Sequence, residues 1–414
     1  VFTQNFDSFE KRRTKDMLNA VKGEIKSKYY DENFHGIDID ARFKVAEEKI
    51  DSATSLNQAF GIIAQAVLEL NDSHTTFFPP NRAGLINYGW RMQMIGDKCI
   101  VTSVKPKSDA EKQGLKQGDE ILKIEGFIPT RKEMWKISYY YNLVSPRQGL
   151  NITVKSSNEK NPRELNIASK ITPLPSYVDF NNLIRDITLS DGKVIENRFI
   201  KVGKTAIWQM PTFAIDPSVV EGFMKGDIIQ NSSNLIIDLR GNGGGYVVTL
   251  EALAGYFVNE DKKIADLKGR KEMKPQMAKT RKSNVYKGNL IILIDSRSAS
   301  ASEIFARFMQ LEQRGVVIGD VSAGAVMQSI GVPLQMGDAK VILYGMSLTN
   351  ADVIMSDGKS LEHSGVTPQL YLIPTPQEIS LGQDKVLATA LKLFDENVSP
   401  EEAGKFFPYK WEDK

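Results

Sequence analysis

Apolar residues recur at helical spacing through residues 1–80. Met17, Leu18, Val21 and Ile25 share one face of "KRRTKDMLNAVKGEIKSKYY", "ARFKVAEEKI" follows the turn chemistry of "NFHGIDIDARF", and "LNQAFGIIAQAVLEL" repeats the period. This pattern predicts a small helical layer, with His35 in the turn between its first two helices. After the turn-rich "FFPPNRAG" the period shortens to that of strands in "RMQMIG", "CIVTSV", "DEILKIEG" and, beyond a helical insert, "LNITVKS". Within this second region Asp109 to Lys112 reads as a short helix stopped by Gly114, and Gly118-Asp119 as a turn into a strand. From about residue 173 the short apolar runs "TAIWQMPTF", "NLIIDLR", "NLIILID", "GVVIGD" and "AKVILYGMSLT" alternate with stretches fit for helices. That is the pattern of an α/β layer with a largely parallel sheet. The amphipathic "QDKVLATALKLFDE" predicts a last helix docked on the same core. The expected units are 1–84, 85–172 and 173–414.

Length and charge narrow the function. At 414 residues the chain exceeds one ordinary core, in keeping with several units. Lys and Arg number 53 against 51 Asp and Glu, a formal charge of +2 without the concentrated basicity of nucleic-acid binders. The single cysteine, Cys99, excludes an internal disulfide framework, and the sparse Cys and His leave no common zinc spacing, so no metal is expected. No apolar run reaches the ~18 residues of a membrane helix, and Val1 opens no signal-like segment. The expectation is a soluble protein whose export signal has been trimmed.

Two motifs could carry chemistry. "NLIIDLRGNGGGYVV" is a buried-type strand followed by Gly241, Gly243, Gly244 and Gly245 and a helix from about Val248. Bare N–H groups at such a strand end stabilise anionic oxygen, as bound phosphate or as the oxyanion of acyl transfer. The spacing departs from the dinucleotide fingerprint at its third glycine, and a packed turn without a ligand is the plain alternative. In "IDSRSASASEIFARFM" a strand hands over through Ser296, Ser298, Ser300 and Ser302 to an apolar helix. Ser300 and Glu303 have the spacing of a capping box, which by itself would account for the serine. A serine at a strand-to-helix turn is also placed to act as a nucleophile, with the N–H of Ala301 as an oxyanion donor. Spacing alone leaves both open.

The order "LIIDLRGNGGG", "LIILIDSRSASASEIFA", "GVVIGDVSAG", "DGKSLEHSGVTPQ", preceded by "YYDENFHGIDIDARF" and "LNDSHTTFFP", resembles the C-terminal processing peptidases and the tricorn core peptidase over nearly the whole chain. Between them, "VTSVKPKSDAEKQGLKQGDEILKIEGFIP" resembles a PDZ domain. The resemblance implies a helical layer, a small β-rich PDZ domain and an α/β peptidase domain with a crotonase/ClpP-like core. It implies a PDZ loop near Tyr88, Gly89 and Trp90 that holds a peptide's terminal carboxylate while the peptide adds as a strand. Ser300, the middle serine of Ser-Ala-Ser-Ala-Ser-Glu, would be the nucleophile. Many members of this family supply the base from a lysine in a Gly-Lys pair; Ala325 stands there in this chain, and Lys340 and Lys359 match no motif. The tricorn-like branch implies His74 as general base and acid, Ser73 and Glu362 as orienting groups, and Gly243 or Gly244 with Ala301 as the oxyanion hole. His363 has no motif role and is expected in solvent. The implied substrates are proteins or peptides, without a cofactor and with oligomerisation left open, in a periplasmic or surface location. Two rival readings remain. One is a non-catalytic ligand- or peptide-binding protein that kept the fold, as retinoid-binding relatives did. The other is a Ser-Lys peptidase whose lysine was replaced at Ala325.

Overall fold

The computed structural model describes residues 6–80, 84–173, 196–337 and 341–411. Its N-terminal segment forms the helices Ser8–Lys28, Ile39–Asp51 and Leu56–Leu68. Each starts at a side chain that accepts a first-turn N–H: Asp7 from Glu10, Asp38 from Ala41, Ser55 from Gln58. Met17, Leu18, Val21 and Ile25 are buried with Phe43, Ile50, Ile63 and Val67. The same cluster contains Phe77, Tyr344, Met346 and Leu348, so these helices pack directly on a sheet from the far end of the chain. Strand Thr76–Phe78, which follows them, pairs antiparallel with Gly345 to Ser347 of the long strand Ile342–Met355.

Residues 84–173 build a five-stranded antiparallel sheet in the order Trp90–Ile95, Lys98–Val104, Glu120–Ile124, Gly149–Lys155, Arg163–Ala168. The helix Asp109–Lys112 lies where the turn signals predict it, capped by Ser108. Strand Gly84–Asn87 pairs with Lys170–Pro173, so the chain enters and leaves this unit side by side.

The remainder centres on a six-stranded sheet. Leu370–Tyr371, Val316–Gly319, Asn289–Ile294, Asn234–Asp238 and Thr205–Gln209 run parallel, and Arg198–Val202 closes the edge antiparallel. One face packs Trp208, Leu235, Ile237 and Ile292 against helices Pro217–Met224, Val247–Ala254 and Ala301–Leu311. The other face carries Ile207, Ile236, Ile291, Leu293 and Ile318 under helix Lys385–Lys392. Helix Lys385–Lys392 thus docks on the same parallel sheet, on the face opposite the three helices named above. Strands apolar on both sides must be covered on both, and successive side chains point to opposite faces. Among the described residues no helix is long and apolar enough to cross a membrane. The loops after Asp238, Ile294 and Gly319 gather at the C-terminal ends of the parallel strands, the usual place for a site in such a sheet.

Candidate active site

The serine stretch begins where the fully buried strand Asn289–Ile294 runs out. Three of its four serines are spent on structure. Ser298 donates to Leu239 O at 2.8 Å, Ser302 donates to Asn242 O at 2.9 Å, and Ser296 donates to Met94 O of the small antiparallel unit. Ser300 differs. It adopts φ +55° and ψ −119°, a conformation that costs a non-glycine residue about 1–3 kcal/mol and projects the side chain from the turn. Gly244 makes the room: a Cβ there would sit 2.7 Å from Ser300 Cβ and 2.8 Å from Ala299 O. Ser300 and Glu303 take the capping-box arrangement, with Glu303 accepting the Ser300 N–H at 3.0 Å, and the Ser300 hydroxyl lies 3.4 Å from His74 Nε2.

Asp72 shapes the loop that brings His74 there. Its carboxylate, 3% exposed, accepts from His74 N at 2.9 Å, Thr75 N at 2.7 Å, the Thr349 hydroxyl at 2.6 Å and the Tyr29 hydroxyl at 2.9 Å. Four donors from three separate segments thus fix one turn. Ser73 Oγ donates to Glu362 Oε2 at 2.9 Å and lies 2.8 Å from His74 Nδ1. A hydroxyl has one proton, so with it given to Glu362 the contact is Nδ1–H donating to Ser73 Oγ. That tautomer leaves an Nε2 lone pair facing Ser300. Glu362 also accepts Ser73 N and Val326 N, both at 2.7 Å. Burial lowers the His74 pKa from its ordinary value, with the Asp72 charge opposing, so the imidazole is held neutral. Burial raises that of Glu362, against the hydrogen bonds from Val326 and Ser73.

Ala325 has a backbone role here. Its carbonyl accepts Ser300 N–H at 2.9 Å and its own N–H donates to Glu303 Oε2 at 3.0 Å. Glu303 is fully buried and also accepts from Ser322 Oγ at 2.6 Å and Gly324 N at 2.8 Å. Burial pushes its carboxyl up to about 7, and the four donors work against that rise. The carboxylate expected as a helix cap is thus the post joining the nucleophile turn to the 320–326 loop. Lys359 is exposed, and Lys340 lies outside the described residues. His363 is exposed, as expected.

The glycine loop packs against the same turn. Gly244 N donates to Asn242 Oδ1 at 2.9 Å, whereas the N–H groups of Gly243 and Ala301 have no hydrogen-bond partner among the described residues. Arg240 clamps the loop from below through Asp238 and Asp384, at 2.7 Å to each. Asp295 ties it to the small unit, accepting Gly241 N at 2.9 Å and Gln93 Nε2 at 2.7 Å. Tyr88, Gly89 and Trp90 stand apart from this cluster. Tyr88 is buried with its hydroxyl on Tyr141 O, Gly89 N donates to Asn87 Oδ1 at 2.7 Å, and the Trp90 indole N–H has no partner among the described residues. Asp72, Asn242 and Asp295 escape sequence reasoning. Asp72, two residues before a candidate histidine, carried the one usable signal, since such a side chain readily bonds the backbone two residues on.

Residues 204–372 match the model of Peptidase family S41. The chain is 27% identical over 350 residues to carboxy-terminal processing protease CtpB of Bacillus subtilis, across 81% of this chain and 66% of that protein. It is 26% identical over 307 residues to the tail-specific protease of Haemophilus influenzae, across 70% of this chain and 42% of the relative. The chain thus spans less than two thirds of the length of these curated relatives. Among solved structures it is similar to mature CPAF complexed with lactacystin, with a TM-score of 0.68 at 15% identity over 94% of this chain and 98% of that one. It is also similar to the photosystem II D1 C-terminal processing protease, with a TM-score of 0.56 at 17% identity over 95% and 99% of the two chains. These two likenesses show a shared fold.

Proposed function

We propose that this chain, whose residues 204–372 are a Peptidase family S41 domain, is a serine peptidase that cleaves polypeptides through an acyl-enzyme on Ser300. The observation that carries this is the 3.4 Å approach of His74 Nε2 to Ser300 Oγ, between residues 226 apart in the chain. A serine hydroxyl is a poor nucleophile until a base accepts its proton, and neutral imidazole at this distance closes to bonding range when substrate binds. His74 takes the Ser300 proton as Oγ attacks the carbonyl, and Nδ1–H, held by Ser73 and Glu362, stabilises the imidazolium. His74 then protonates the departing amine and later activates the water that releases the acyl group. The oxyanion is received by the N–H groups of Gly243 and Ala301. Gly244 serves the hole by clearing space, because its own N–H is committed to Asn242.

Residues 84–173 act as a PDZ-type module that takes a substrate's C-terminus, its carboxylate held by backbone N–H groups of the loop near Tyr88, Gly89 and Trp90. A fluorophosphonate should label Ser300, identified by peptide mass, and the same protein should cleave unfolded polypeptides. Neither labelling nor cleavage by a folded sample would favour the non-catalytic binding protein.

The buried histidine sets a pH dependence. Its folded-state pKa lies below the ordinary 6.5, so the base stays neutral into mildly acid solution and kcat/KM should fall only below that pH. The same depression stabilises the fold fully above pH 6.5 and is lost as pH falls through the folded value, where the unfolded chain already binds the proton. Asp72→Asn removes a charge that raises the His74 value, so the acid limb should move further down. Its plateau kcat should drop about 10–100-fold as the loop loses its anchor. An unmoved limb with an unchanged plateau would show that Asp72 does not act on His74.

A further inference from the structure

We propose that the outer edge of strand Met327–Met336 is the docking strand for the substrate main chain N-terminal to the scissile bond, which adds to the sheet through Ser329 and Gly331. The inference rests on the serine-peptidase reading and names how an extended polypeptide would be held there.

The strand grows out of the nucleophile turn. Ala325 O accepts the Ser300 N–H at 2.9 Å, Val326 N is held by Glu362 at 2.7 Å, and the strand opens at Met327. On its inner side it pairs antiparallel with Ile342–Met355. The far edge of that long strand is taken by Thr76–Phe78 and Lys262–Lys268. Among the described residues nothing pairs with the outer edge of Met327–Met336, and its backbone groups there lack ladder partners.

Pro333 reveals which groups those are. It stands opposite Gly345 and has no N–H to give a ladder, so its nitrogen faces outward, the position a proline takes on an edge strand. Antiparallel pairs alternate between bonded and non-bonded, so Gly331 and Ser329 share its phase and present N–H and C=O outward, while Ile330 and Val332 bond inward. The register shift between Gln328 and Ser329 ends this phase toward the nucleophile. The open run is therefore two residues long, blunted beyond by a proline, which suits a short segment of substrate better than an endless partner strand. Nothing covers it. Ile330 is 37% exposed, and a Cβ built on Gly331 would meet nothing within 4 Å.

Reach agrees with this occupant. From Ala325 to Ser329 is four residues, about 13 Å of strand, which an extended peptide spans with about four residues. A substrate acylated at Ser300 would then first pair with Ser329 some four residues upstream of the cut. Main-chain pairing of this kind is indifferent to side chains, so it positions any extended polypeptide.

The test measures binding of labelled peptides to Ser300→Ala protein by anisotropy, alongside cleavage by the unsubstituted enzyme. Lengthening the acyl side from two to six residues should tighten binding about tenfold or more, the worth of two further hydrogen bonds. Gly331→Pro, which removes one outward N–H at a position where an edge strand tolerates proline, should erase most of that gain. It should leave binding of the shortest peptide, which does not reach Gly331, unchanged. N-methylation of the peptide should weaken binding at alternate amides only. A gain from length that survives Gly331→Pro, together with N-methyl effects that do not alternate, would overturn the docking strand. Concentration-dependent pairing of two copies through this edge, abolished by Gly331→Pro, would overturn it in favour of a self-interface. Binding with the expected alternation but no cleavage would instead overturn the peptidase reading and leave the strand standing.

Discussion

His74→Ala should lower kcat about 10⁴–10⁶-fold with little change in KM, because the imidazole acts on the reacting proton and not on substrate binding. Ser300→Ala should be as damaging, and the double variant scarcely worse, since groups that act as one unit lose their whole contribution together. The geometry makes the histidine irreplaceable from nearby. The lysine position of the Ser-Lys branch is Ala325, whose carbonyl and amide are already bonded to Ser300 and Glu303. Peptide hydrolysis by purified His74→Ala protein, with folding checked by circular dichroism, decides the matter. A rate within tenfold of the parent would sink the histidine mechanism, and recovery on adding Ala325→Lys would revive the replaced-lysine reading.

The largest loss of stability should come from Arg240→Met, at about 3–5 kcal/mol, since removing one member of a buried ion cluster leaves the others unpaired. Asp238 is 1% exposed and forms its salt bridge with Arg240, which also bridges to Asp384 at the start of the Lys385–Lys392 helix. One side chain therefore locks the glycine loop to an element on the opposite face of the sheet. Coupling the change with Asp238→Asn and Asp384→Asn should recover much of the loss, because the orphaned charges leave with it. Urea denaturation of the three proteins measures this. A loss below about 1 kcal/mol for Arg240→Met would mean that water reaches the carboxylates and screens them as at a surface.

Much of the fold was legible because its signals are local. The buried face of Ser8–Lys28, the short helix Asp109–Lys112 and the strand runs of the parallel sheet follow from periodicity and turn chemistry within a few residues. Which face of the sheet helix Lys385–Lys392 covers is not legible for the complementary reason. Its apolar stripe says that it docks, but both faces of the Asn289–Ile294 strand are apolar and either would accept it.

The candidate site divides in the same way. Resemblance picks Ser300 from four serines, and the structure adds why: its neighbours are occupied by Leu239, Asn242 and Met94, all supplied by other elements. Asp295 gave no signal and Asp72 only its place two residues before His74, because a carboxylate that organises a loop is recognised mainly by donors that come from other segments. By itself the sequence determined which groups are present and which backbone each prefers, down to the strand-to-helix turn that exposes a serine. Only the tertiary structure decided that His74 meets Ser300. That meeting depends on Thr76–Phe78 pairing with a strand some 270 residues later and on Ser73 reaching Glu362 across 289 residues. Contacts of such range are selected by the packing of the whole sheet, a term that no local stretch of sequence contains.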